Sequence, residues 1–101
     1  MKDYYFHPEA QIELYDAEFY YDQAKPGLGS RFESATQFHI DSVRQNPKMY
    51  AEEDGGERLT LITPYSYCIV YFDFPDRTWI AAIAHTRRRP GYWRHRKPND
   101  E

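Results

Sequence analysis

Residues 57–85 read ERLTLITPYSYCIVYFDFPDRTWIAAIAH, and this stretch decides the fold. Glu57 to Thr63 alternates, which puts Leu59 and Leu61 on one face of a strand. Pro64 to Ser66 turns the chain. Tyr67 to Phe74 is apolar at nearly every position, the pattern of a central strand covered on both sides. One face carries Tyr67, Ile69 and Tyr71, the other Cys68, Val70, Phe72 and Phe74, and either face suits a layer of helices. Phe74-Pro75-Asp76-Arg77 fits a tight turn with proline at its second position. Thr78 to His85 then returns as the next strand of an antiparallel meander.

Upstream the period changes. Asp3 to His7 is aromatic and reads as a short strand. Pro8 suits the first position of a helix, where its missing N–H costs nothing. Ala10, Leu14, Ala17, Tyr21 and Ala24 recur at helical spacing, with Ile12, Tyr15 and Phe19 beside them. Glu9, Glu13, Asp16 and Glu18 form an acidic face expected to be solvated. The breaker Lys25-Pro26-Gly27-Leu28-Gly29 ends this helix near residue 24. Ser30 and Glu33 suggest a capping box for a second helix, with Phe32, Ala35, His39 and Val43 along one stripe. Pro47 should stop it near Asn46. The expected order is β-α-α-β-β-β, an α+β fold with a helix hairpin packed on a mostly antiparallel sheet. Its 101 residues fit a single domain, 1–101, with a basic, aromatic tail at 86–101.

Charge is divided unevenly along the chain. Residues 1–57 hold 5 basic and 12 acidic side chains, residues 58–101 hold 8 and 4. Arg87, Arg88, Arg89, Arg94, Arg96 and Lys97 fall close together, so a polyanionic or acidic partner is permitted on one face despite a net charge of −3. Cys68 is the only cysteine, which excludes an internal disulfide and suits a reducing cytoplasm. No segment approaches transmembrane length and the N-terminus has no apolar run, so the expectation is a cytoplasmic protein with no membrane partner. His7, His39, His85 and His95 are scattered without ligand spacing, so neither metal nor other cofactor is expected. A Cys68–His85 nucleophile pair is conceivable on adjacent strands, but a cysteine here more often serves as a small hydrophobe.

The C-terminal block IAAIAHTRRRPGYWRHR, residues 80–96, resembles the ending of the RelE/ParE superfamily of toxins, in which an apolar last strand runs into H-x-x-R-x-P and an arginine- and aromatic-containing tail. Tyr67-x-Ile69-x-Tyr71, Pro26-Gly27-Leu28-Gly29-Ser30-Arg31-Phe32 and Asn46-Pro47 followed by Arg58 extend the likeness over nearly the whole chain. The resemblance implies the β-α-α-β-β-β toxin fold of a type II toxin–antitoxin system and a cognate antitoxin that wraps and neutralises the toxin. Members divide by target. RelE-like toxins cleave messenger RNA on the ribosome without metal; ParE-like toxins, the plasmid-stabilisation type, poison DNA gyrase and are not nucleases.

Metal-independent RNA cleavage needs a base for the 2′-OH, cations for the developing phosphorane charge and an acid for the 5′-oxygen. The residues to supply these are His85, Arg58, Arg87 and Tyr92. Each has a plainer role: His85 as a hydrogen-bonding end of a strand, Arg58 as the partner of an acid on the helix hairpin, Tyr92 with Trp93 as an anchor of the tail. Against cleavage stand the acidic chain and the lack of any lysine between Lys48 and Lys97. The balance leans to a ParE-like gyrase poison that is not an enzyme. In that reading a mobile tail presents Arg87, Arg88, Arg89, Tyr92, Trp93, Arg94 and Arg96 to target or antitoxin. The alternatives are the RelE-like ribosome-dependent endoribonuclease and a non-toxic binding module of the same fold.

Overall fold

The computed structural model describes residues 1–98. Strand β1 (Asp3–Phe6) leads into helices α1 (Pro8–Ala24) and α2 (Leu28–Gln45), followed by β2 (Arg58–Leu61), β3 (Tyr67–Asp73) and β4 (Arg77–His85), then a single 3₁₀ turn at Arg94–Arg96. The sheet order is β1-β4-β3-β2. The meander is antiparallel and β1 joins β4 in parallel. This is the expected α+β fold, two helices on a mostly antiparallel four-stranded sheet.

Local chemistry starts α1. The His7 ring accepts the Glu9 N–H at 3.0 Å, and Pro8 occupies the first turn. The start of α2 differs from the expected capping box, because the helix begins earlier, at Leu28, and both Ser30 and Glu33 lie inside it on its exposed side. Gly27 turns the chain with φ +90°, and the Asp22 carboxylate on α1 accepts the N–H groups of Gly27 and Gly29. A side chain from the neighbouring helix thus does the work assigned to Ser30.

The two apolar faces of β3 are both used. Ile69 and Tyr71 pack with Ile80 and Ile83 under Leu14, Ala17, Phe32, Ile40 and Val43, so the helices cover the Tyr67–Ile69–Tyr71 face. Cys68, Val70, Phe72 and Phe74 form a second core with the alanines of β4, and this one is closed by Trp93. Trp79 and Tyr92 pack against its margin. The residues that follow β4 therefore form a third layer.

Up to residue 98 that layer corrects the expectation of a mobile tail; residues 99–101 of the tail lie outside the described residues. Trp93 and Arg96 are buried. The Trp79 indole N–H donates to the Arg96 carbonyl at 2.9 Å. Strand β4 runs on beyond its pairing with β1, which ends at Ile80. Past that point its backbone meets side chains instead: the Arg96 guanidinium donates to the Ala81 carbonyl at 3.1 Å, and the Ile83 N–H donates to a Glu13 carboxylate oxygen at 3.0 Å. An uncovered stretch of strand edge is thereby satisfied by one residue of α1 and one of the tail.

Candidate functional site

Strand β4 delivers His85 to the end of the sheet, and the chain then turns through Arg87, Arg88 and Arg89, all exposed. The turn is fixed from behind. The Arg88 N–H donates to the His85 carbonyl at 3.0 Å, and the Arg87 N–H donates to His85 Nδ1 at 3.1 Å. His85 also packs edge-on against Tyr67, with ring centroids 5.1 Å apart. One ring nitrogen of His85 is therefore already occupied by backbone. Among the described residues the side chains of Arg87 and Arg89 form no ion pair. Arg88 reaches Glu13 at 3.4 Å and lies over the Tyr92 ring, 3.8 Å from its centroid.

Beside this turn, on the sheet face away from the helices, is an open pocket of about 280 Å³. Leu59, Leu61, Cys68, Ala84 and Trp93 give it an apolar lining, and His85 and Arg88 stand at its edge. Burial pushes the Cys68 thiol up to about 11, with Glu13 adding to the effect, so the thiol is not poised as a nucleophile.

The four residues assigned to RNA cleavage do not converge. Arg58 lies opposite Tyr71 on β3, whereas His85 lies opposite Tyr67. Four residues along β3 and two strand spacings across the sheet place their backbones roughly 15 Å apart. The Arg58 guanidinium is turned to other uses. It donates to the Tyr50 carbonyl at 2.6 Å and pairs with Glu52 at 3.5 Å, holding the loop before β2. Its acidic partner is thus in that loop and not on the helix hairpin. The Tyr92 hydroxyl donates to Glu13 at 2.8 Å. Burial and this hydrogen bond raise its pKa well above the ordinary tyrosine value, so it is a poor proton donor. His85 and Arg87 share one turn, and Tyr92 lies close by beneath Arg88 with its proton committed to Glu13, so it is Arg58 that stands apart.

The residues assigned to partner binding divide in the same way. Arg87, Arg88, Arg89 and Arg94 are exposed, although Arg94 is 3.5 Å from Glu57. Tyr92 is half-buried and Trp93 and Arg96 face inward, so the latter two support the surface without forming it. Arg96 is held by Glu13 at 3.0 Å and Glu9 at 3.3 Å. Burial works against its charge, but the Glu13 hydrogen bond together with the negative groups around it, Glu13 and Glu9 among them, outweighs this and its pKa is raised.

Sequence reasoning missed Glu13. Placed on a face expected to be solvated, it accepts from Ile83, Tyr92, Arg88 and Arg96 and is largely buried. No local pattern marks it, since every partner lies at least 70 residues away.

Among the described residues no cluster of three or more His, Cys, Asp or Glu side chains could hold a metal ion, and no helix is long and apolar enough to cross a membrane. Comparison with known proteins gives no match to a family model and none to a curated protein.

Proposed function

We propose that this chain is the toxin of a type II toxin–antitoxin pair of the RelE/ParE kind, acting in the cytoplasm by docking on DNA gyrase, not by cutting RNA. The observation that carries the choice of mechanism is the separation of Arg58 from His85. A metal-independent nuclease must surround one phosphodiester with cations and proton-transfer groups held at contact distance. Here Arg58 staples a loop at the far end of the sheet and the Tyr92 proton is committed to Glu13. What remains is a rigid turn with three exposed arginines next to an apolar pocket, a combination suited to gripping a protein surface. The cognate antitoxin is then expected to cover that turn with acidic residues, because it must compete for the same cations.

The second reading, RNA cleavage, keeps one observation in its favour: His85 stands beside Arg87, Arg88 and Arg89. The deciding experiment sets purified protein against gyrase supercoiling and against ribosome-bound messenger RNA. Inhibition of supercoiling with intact messenger RNA, lost in Arg87→Glu/Arg89→Glu but retained in Arg58→Ala, is the expected result. Messenger RNA cut in codon register, with cleavage lost in His85→Ala or Arg58→Ala, would establish the nuclease instead. Inactivity in both assays together with harmless expression would favour a binding module without toxic action.

A further inference from the structure

Helix α1 is apolar on two opposite sides. Ala10, Leu14 and Ala17 are buried toward the sheet. On the other side Ile12, Tyr15 and Phe19 recur at i, i+3 and i+7 and are 57%, 59% and 66% exposed. Helix α2 adds Phe38, 66% exposed and on the side away from its own buried stripe of Phe32, Thr36, Ile40 and Val43. A large aromatic side chain offers about 150–250 Å². At these exposures the four residues together present on the order of 400 Å², comparable to the largest apolar patch of a typical monomer, which is often functional, and about half of one side of a standard protein interface. A helix with apolar residues on both sides is suited to burial on both sides.

The charge around this stripe selects the occupant. Residues 8–24 carry five acids and no cation. Glu9 and Glu13 are paired with tail arginines, but Asp16, Glu18 and Asp22, with Glu33 of α2 close to Glu18, pair with no cation among the described residues. The cations of the hairpin lie at its tip, Lys25 and Arg31, or are engaged, as Arg44 is with Asp41 and the Lys2 carbonyl. A second copy would bring like charges together along α1. A helix with leucine-type anchors on one face and lysine or arginine along its flanks would place opposite charges there while burying Ile12, Tyr15 and Phe19.

We propose that the outer face of the helix hairpin is a docking surface for a basic amphipathic helix of a partner protein. It lies on the opposite side of the sheet from the pocket and is independent of the gyrase reading. Both surfaces can be occupied at once, one by an acidic and one by a basic partner.

The test uses a short fluorescein-labelled designed helix with a leucine face flanked by lysines. Two comparison peptides accompany it, one with glutamates in place of the lysines and one scrambled with the same composition. Anisotropy titrations use the full chain, Tyr15→Ser/Phe19→Ser and Ile12→Ser/Phe38→Ser, each checked for an unchanged urea midpoint. All four side chains are mostly exposed, so both variants should fold. The lysine helix is expected to bind about tenfold or more tightly than either comparison peptide, and to lose about tenfold in each variant. Amide shift changes on binding should map to residues of α1 and α2. Equal binding of the scrambled peptide, or shift changes confined to Arg87–Arg89, would overturn the proposal. So would concentration-dependent self-association in sedimentation that disappears in Tyr15→Ser/Phe19→Ser, because the occupant would then be a second copy.

Discussion

Replacing Arg96 with methionine keeps most of the side-chain volume and removes the charge. The Arg96 side chain is 3% exposed and its main partner Glu13 is 12% exposed, so the pair is screened little by water. Breaking one partner of a buried pair costs about 3–5 kcal/mol. Glu13 keeps its bonds from Ile83 and Tyr92, which holds the cost to the lower end of that range. The Ala81 carbonyl loses its donor as well, about 1 kcal/mol more. Together these give about 4 kcal/mol, a large part of the stability of a domain this size, about 5–15 kcal/mol. At roughly 4–8 °C per kcal/mol, the melting temperature should fall by at least about 16 °C. Urea unfolding followed by circular dichroism measures the loss. Tryptophan fluorescence reports the tail directly, since the Trp79 N–H bonds to the Arg96 carbonyl and Trp93 is buried. Glu13→Gln should cost a similar amount, and the double variant should cost less than the two together by about 1–3 kcal/mol. An Arg96→Met midpoint within about 0.5 kcal/mol of the parent, the value for a surface substitution, would refute the account of the tail as a structural layer.

Removing residues 87–101 should leave a chain that does not fold cooperatively in a thermal scan, because it uncovers the core under Trp93 and strips the edge of β4. Gly29→Ala should lower stability by about 1–3 kcal/mol in urea titrations, since an added Cβ would sit 2.5 Å from the Glu18 carbonyl oxygen. His7 should contribute a loss of stability in acid. Burial, with Arg96 nearby, lowers its pKa, so the unfolded chain takes up the proton first and the folded state weakens as pH falls from the ordinary histidine value toward the lowered one. His7→Asn keeps a side-chain cap and should flatten that part of the profile when urea midpoints at pH 7.5 and 5.5 are compared. Cys68 should react with a thiol reagent at pH 8 far more slowly in the folded protein than in urea, given its burial and a pKa of about 11.

How legible the fold was depended on the range of the contacts behind each feature. The doubly apolar run Tyr67 to Phe74 announces a central strand, and the helix periods announce the hairpin, because both patterns arise from the local geometry of the backbone. The same run could not tell which face meets the helices. The second face is closed by Trp93, from a segment whose arginines give it the composition of a solvated tail. An arginine reads as surface unless its acid is known, and the acid for Arg96 lies 83 residues earlier. The capping box failed for a related reason: Asp22, across the hairpin, was a stronger competitor for the free N–H groups than Ser30. At the candidate site the arginine turn was visible as composition. The distance from Arg58 to His85 was not, because it depends on strand register.

The bond between Glu13 and Arg96 also has a place in time. A chain leaving the ribosome offers α1 early, and Glu13 on it waits for a partner that does not exist until residue 96 has been made. Until then the Ile83 N–H and the Ala81 carbonyl have at most half of their cover, and the face of β3 that Trp93 will close is bare. Contacts this distant in sequence form late and slowly. A ribosome halted before that point would hold a chain with its helices and sheet hydrophobics in hand but no means of sealing them, ready prey for proteases. The molecule therefore becomes durable in one step, once residue 96 has been made.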